Sequence, residues 1–218
     1  YGDGPNHLAM RETATRYDFA DAAYREGIAE DFSIDQCLHS LFGASKVAAD
    51  VLTQEYGRYF GMKTGVFRGG CLTGPNHSGV ELHGFLNYLV LQAVRRGAYT
   101  IFGYKGKQVR DQIHSHDVIN AFWHFAQKPR AGEVYNLGGG RDNAASVLEC
   151  IELIAMRSGS RPTLSYQDQN RVGDHICYYT DMSKFRQHYP GWKLTRGLQQ
   201  IIDEIVTAAQ GRGASAAA

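Results

Sequence analysis

Apolar residues between positions 41 and 60 recur at helical spacing, with Val47, Val51, Leu52, Tyr56 and Tyr59 falling on one side of a 3.6-residue repeat. Ser40 stands where an N-cap is needed, and Gly61 stands where a helix can stop. The pattern then shortens. Residues 63–68 (KTGVFR) form a strand-like run, closed by the breaker-rich string Gly69-Gly70-Cys71-Leu72-Thr73-Gly74-Pro75. The periodicity next predicts a helix over 80–96, a strand at 99–102, a Gly/Lys loop, and a strand at 109–114. Asp117 is placed to cap a helix reaching Gln127, and residues 134–137 read as a strand ending in Gly138-Gly139-Gly140. Ser146 opens a helix to Met156, 163–166 is a weak strand, and 198–208 is a closing amphipathic helix. Residues 2–36 are polar and without a sustained period, which predicts a long surface loop, a kind of segment that usually carries function. Strands alternating with helices of this length predict an α/β fold with a largely parallel sheet.

Composition removes whole classes of function. The 218 residues are 43% hydrophobic and 21% charged, with 23 Lys plus Arg against 22 Asp plus Glu. So balanced a chain carries no general field for nucleic acid or an anionic membrane, and any anion site must be built locally. Cys37, Cys71, Cys150 and Cys177 are widely spaced with no CxxC pair, which points to reduced thiols in a cytoplasmic protein. No apolar run approaches the roughly 18 residues of a membrane span, and no basic-then-apolar signal segment opens the sequence. No metal is predicted: His77 and His83 lack a ligand-like spacing and a completing Cys or carboxylate. The small, polar residues after position 207 predict a disordered tail.

The string Leu41-Phe42-Gly43-Ala44-Ser45-Lys46-Val47-Ala48-Ala49-Asp50 sets a lysine four residues after an aromatic ring, on one helix face, among small residues. Phe-x-x-x-Lys alone is ordinary helix surface, but the longer string resembles the active-site helix of the extended short-chain dehydrogenase/reductase family of NAD-dependent epimerases and dehydratases. In that family the first position is Tyr. The resemblance implies that Lys46 holds the nicotinamide ribose and lowers the pKa of a neighbouring phenol, which then acts as general acid and base. Here the family's Tyr position is Phe42, which has no proton to exchange. Three readings stay open: another residue supplies the proton, with His39 nearest and Tyr1 or Cys71 more remote; water exchanges it directly; or the step is not catalysed.

Two further blocks carry the same resemblance. One runs from Gly103 through Gln108-Val109-Arg110-Asp111 to His114 and Asp117; the other is Arg171-Val172-Gly173-Asp174 followed by Thr180-Asp181-Met182-Ser183-Lys184. They imply that Arg110 and Arg171 grip a nucleotide-sugar diphosphate, for which the planar guanidinium fork is suited, while Asp174 reaches a ribose hydroxyl. Phe102 is placed to stack on the nucleobase, Gly70 and Cys71 to let the backbone approach the cofactor, and His77 and His83 to lie near the pocket. Asp181 reads as a helix cap. Gly138-Gly139-Gly140 lacks the spacing of a dinucleotide loop and reads as a turn.

The resemblance implies the C-terminal part of a Rossmann-like fold: an incomplete parallel sheet with a small α/β substrate-binding domain. Residues 1–75 would be the remnant of the dinucleotide-binding domain, 76–206 the nucleotide-sugar region, with the chain returning to the sheet near 109–137, and 207–218 the tail. The N-terminal part with its glycine loop is expected to be missing, NAD to be the cofactor, a CDP-sugar or related nucleotide sugar the substrate, and a homodimer the state of the full-length protein.

Overall fold

A computed structural model describes residues 1–81, 83–170 and 173–215. The segment expected to be loop is built instead around an antiparallel hairpin, β1 (Met10–Glu12) and β2 (Tyr17–Phe19). The polar sequence hid this because the hairpin buries few residues, chiefly Phe19, with Ile28 further on, against Val109, Cys177 and Tyr179. Helix α1 (Leu41–Phe60) follows the expected bounds: the Ser40 hydroxyl accepts the Gly43 N–H at 3.0 Å, and Gly61 ends the helix at φ 65°. Strands β3 (Gly65–Gly69) and β4 (Cys71–Thr73) come next. Helix α2 spans only Phe85–Arg95, because Val80 and His83 form an isolated bridge in place of the predicted first turn.

The remaining elements are β5 (Ala98–Phe102), β6 (Val109–His114), α3 (Ser115–Gln127), β7 (Glu133–Leu137), β8 (Ala144–Ser146), α4 (Val147–Ser158), β9 (Thr163–Gln167), β10 (Cys177–Tyr178), α5 (Ser183–His188) and α6 (Leu198–Ser215). Asp117 is not the cap of α3. His114 is, its Nδ1 accepting the His116 N–H, while the fully buried Asp117 carboxylate accepts from Thr195 and Arg196. Helix α6 runs well past the predicted onset of disorder. Burial of Ile201, Ile202 and Ile205, worth roughly 1.5–3 kcal/mol each, holds it against α2 and α4.

Parallel pairing dominates. β3 pairs with β7 from Gly65↔Glu133 to Gly69↔Leu137. β6 centres a second sheet, parallel to β10 and β4 and antiparallel to β8. β5 pairs with β9. The β3–β7 pair and the four-stranded sheet meet at the β3–β4 junction, where Gly70 lets the chain pass within 2.9 Å of the Asp111 carboxylate (measured from the Cβ it lacks).

Candidate functional site

Strand β6 alternates its side chains, so Arg110 and Gln112 share one face and Asp111 and Ile113 the other. The Arg110–Gln112 face floors a cavity of about 540 Å³. β4 supplies Cys71 and Leu72 beside it, β5 supplies Ile101 and Phe102, and the first turn of α2 closes one end with Phe85, Leu86 and Asn87. Thr73 donates to the Asn87 side chain at 2.8 Å, and Asn87 donates in turn to the Gly74 carbonyl at 2.8 Å, which pins α2 to β4. The N-cap of α2 is Gly84, with no side chain capping the helix amides. An open helix N-terminus beside a guanidinium favours an anion in the cavity.

Arg110 donates to the Asp174 carboxylate and, at 2.7 Å, to the Val109 carbonyl. The two charged side chains are 13% and 14% exposed, so neither is free to neutralise itself in bulk water. Burial pushes the Cys71 thiol up to about 11, keeping it protonated at neutral pH. Burial, and then the neighbouring His83, lowers the His77 pKa; the two rings stand 5.6 Å apart at the mouth.

Seven of the sequence-derived positions thus meet in one cavity: Gly70, Cys71, His77, His83, Phe102, Arg110 and Asp174. Arg171 lies outside the described residues. Lys46 and Phe42 do not line the cavity; they sit on α1, with the ammonium 5.2 Å from the Phe42 ring centroid and Phe42 72% exposed. His39 Nε2 is engaged by the Ile34 carbonyl at 2.7 Å and stands 3.3 Å from the Cys37 sulfur, which ties it into the loop before α1. The Tyr1 hydroxyl donates to Asn136 at 2.6 Å and accepts from Arg68 at 3.1 Å, and burial raises its pKa. Gly138 has no room for a Cβ because Thr180 and Asp111 press against it, and Gly140 donates to Asp111 at 2.9 Å, so this triplet packs the interior. Asp181, expected as a helix cap, accepts the Ser183 N–H at 2.7 Å from one residue before it; the N-cap of α5 is Met182, with no side-chain cap bond.

Sequence reasoning overlooked Gln112 and the α2 N-terminus. Strand alternation with Arg110 was the available signal for Gln112; the α2 signal was masked because the helix begins five residues later than its periodicity suggests.

Residues 20–138 match the NAD dependent epimerase/dehydratase family, more than half the chain. The chain belongs to that family. Over 164 residues it is 34% identical to the CDP-paratose 2-epimerase of Salmonella typhi, covering 71% of this chain and 46% of the relative. It is 28% identical over 173 residues to the dTDP-glucose 4,6-dehydratase of Shigella flexneri, covering 77% of this chain and 46% of that enzyme. The chain therefore spans about half the length of these curated relatives. A UDP-glucuronic acid 4-epimerase variant from Bacillus cereus, solved with a nucleotide sugar and NAD, superposes with a TM-score of 0.71 at 21% identity, over 97% of this chain and 60% of that one. At that identity the likeness establishes the fold: a mixed α/β, Rossmann-like arrangement of the extended short-chain dehydrogenase/reductase type.

Proposed function

We propose that this chain provides the nucleotide-sugar site of an NAD-dependent epimerase acting on a CDP-sugar, interconverting CDP-paratose and CDP-tyvelose by transient oxidation at C2. The observation that carries the reading is the meeting of Arg110, Asp174, Phe102 and the uncapped α2 N-terminus in one cavity. Arg110 takes the diphosphate, helped by the α2 amides and by Arg171. Asp174, which holds the guanidinium in the free chain, turns to a ribose hydroxyl once phosphate replaces it, and the Phe102 ring meets the base. The 34% identity to a CDP-paratose 2-epimerase supports the CDP-sugar over a UDP- or dTDP-sugar.

The residues present fit one end of NAD. The exposed Lys46 suits the nicotinamide ribose, with Gly70 and Cys71 on the cofactor side of the cavity, but the glycine triplet at 138–140 is filled by Thr180 and Asp111 and cannot cradle phosphate. When bound, the cofactor supplies a hydride acceptor and donor at one sugar carbon. What this chain contributes is binding and orientation. Phe42 offers no proton, the Cys71 thiol stays protonated, and His39 is engaged in its own loop. Those three facts favour a second reading for the chain by itself, nucleotide-sugar binding without turnover. In the full-length protein we propose a homodimer through α1, whose Leu52, Tyr59 and Phe60 are 59%, 81% and 66% exposed. We place the protein in the cytoplasm; no helix among the described residues is long and apolar enough to cross a membrane.

Calorimetry of the 218-residue chain with CDP-glucose, UDP-glucose and dTDP-glucose tests the site, and product analysis with added NAD+ tests turnover. CDP-glucose should bind most tightly. Binding without product supports the second reading, and no binding of any of the three defeats the proposal.

A further inference from the structure

One polar side chain in the cavity is used neither by the fold nor by the roles above. Gln112 is 1% exposed and lines the cavity, yet apart from the Cys71 sulfur neither of its amide atoms has a hydrogen-bond partner among the described residues. A buried amide left unpaired opposes folding, and native interiors keep few of them. The β4–β6 register sets Cys71 opposite Gln112, but a protonated thiol offers only a weak sulfur contact. The amide is therefore poised for a partner that arrives with the ligand.

We infer that Gln112 is a specificity-determining residue, whose amide hydrogen-bonds a hydroxyl of the sugar joined to the diphosphate. The inference rests on the nucleotide-sugar reading and adds to it the subsite that reads the sugar. Position argues for the sugar. Gln112 stands two residues beyond Arg110 on the same face of β6, roughly 6–7 Å further along the strand. It lies on the side that leads through Cys71 and Gly70 to β3 and the helix carrying Lys46. Phe102, proposed for the base, lies instead on β5. Chemistry argues the same way. A phosphate oxygen accepts only and would leave Gln112 Oε1 unpaired, whereas a sugar hydroxyl donates and accepts, and neighbouring hydroxyls can satisfy both ends of the amide. The neutral amide also adds no charge beside the Arg110–Asp174 pair.

The test compares CDP-glucose with CDP, which lacks the sugar, by calorimetry on the wild-type chain and on Q112M. Methionine keeps the volume and removes the amide. Q112M should bind CDP as the wild type does and CDP-glucose about five- to tenfold more weakly. Its ligand-free melting temperature should stay level or rise, because an unpaired buried amide has been removed, which a purely structural role would not produce. If folded Q112M binds CDP-glucose as tightly as wild type, or if both ligands weaken equally, the sugar-reading role is wrong. Should Q112M not fold, Q112N, which withdraws the amide by one methylene, must show the same selective loss for the idea to survive. Wild-type chain that binds CDP but gains nothing from the glucose overturns this inference alone, whereas failure to bind either ligand also removes the nucleotide-sugar reading.

Discussion

Arg110 and Asp174 each supply the charge that makes the other's burial tolerable, so replacing one strands its partner. R110M removes the guanidinium while keeping most of the side chain's bulk. It should lower CDP-glucose affinity by about tenfold or more, read by calorimetry, since charge-assisted bonds to phosphate contribute more than neutral ones. It should also cost about 2 kcal/mol in urea unfolding, because the Asp174 carboxylate is only 14% exposed. D174N should cost less, because the guanidinium keeps its bond to the Val109 carbonyl. Next to this pair, the half-buried His175 donates from Nε2 to the Gly2 carbonyl at 2.7 Å, a bond that both the neutral ring and the imidazolium can make. Burial, reinforced by Arg110, lowers its pKa from 6.5 to about 4. A depressed pKa means the unfolded chain takes up the proton first. The stability His175 allows is therefore present above pH 6.5 and is lost as the pH falls toward 4, by about 3 kcal/mol in all. Urea midpoints between pH 7 and 4 should fall in the wild type and fall less steeply in H175Q. Parallel slopes in the two proteins would assign the acid sensitivity elsewhere.

At the level of elements, α1 is held to the β3–β7 sheet by few but specific contacts. Arg68 on β3 donates from Nε to Asp50 on α1 at 2.8 Å, one helical turn after Lys46, so this ion pair sets where the lysine stands. Gly57 lets the helix rest directly on the backbone of Gly132, just before β7, with no space for a Cβ. G57A should therefore destabilise the chain by about 1–3 kcal/mol despite alanine's better helix propensity, because the obstruction is backbone and cannot rotate away. Thermal melts decide this: a melting temperature equal to or above wild type would mean that the helix slides without cost. Helix α4 opens with a reciprocal cap, in which Ser146 accepts the Glu149 N–H and Glu149 accepts the Ser146 N–H. S146A should cost about 1 kcal/mol, and somewhat more because the hydroxyl also donates to the Thr15 carbonyl at 2.8 Å. Caps such as Ser40, Gly61 and Ser146 were legible in the sequence because they act within a few residues of themselves. The start of α2 was not, since Val80 and His83 pair with each other instead of continuing the helical period.

Across the whole molecule, α1 and α3 present an unusual amount of apolar surface: Leu41, Tyr59, Ile119 and Trp123 are 94%, 81%, 64% and 62% exposed. Scattered apolar side chains are normal on a surface, but helix faces this apolar associate. Sedimentation of the chain at micromolar concentration should show self-association that weakens in L52K/Y59K; a wild type that stays monomeric throughout would contradict this. The sequence by itself determined the α/β class, the bounds of α1 and β6 and, to within a residue, those of β5 and β7, because hydrophobic period and caps are local records. Only the tertiary structure decided that β6 belongs to the sheet of β4, β8 and β10, that Asp117 clamps Thr195 and Arg196, and that Gly138 exists to admit Thr180. It alone showed that Gln112 is buried facing an open cavity with its amide unpaired apart from the Cys71 sulfur. Those facts depend on which residues far apart in sequence come to share a space, and burial, not pattern, sets what each of them must then do.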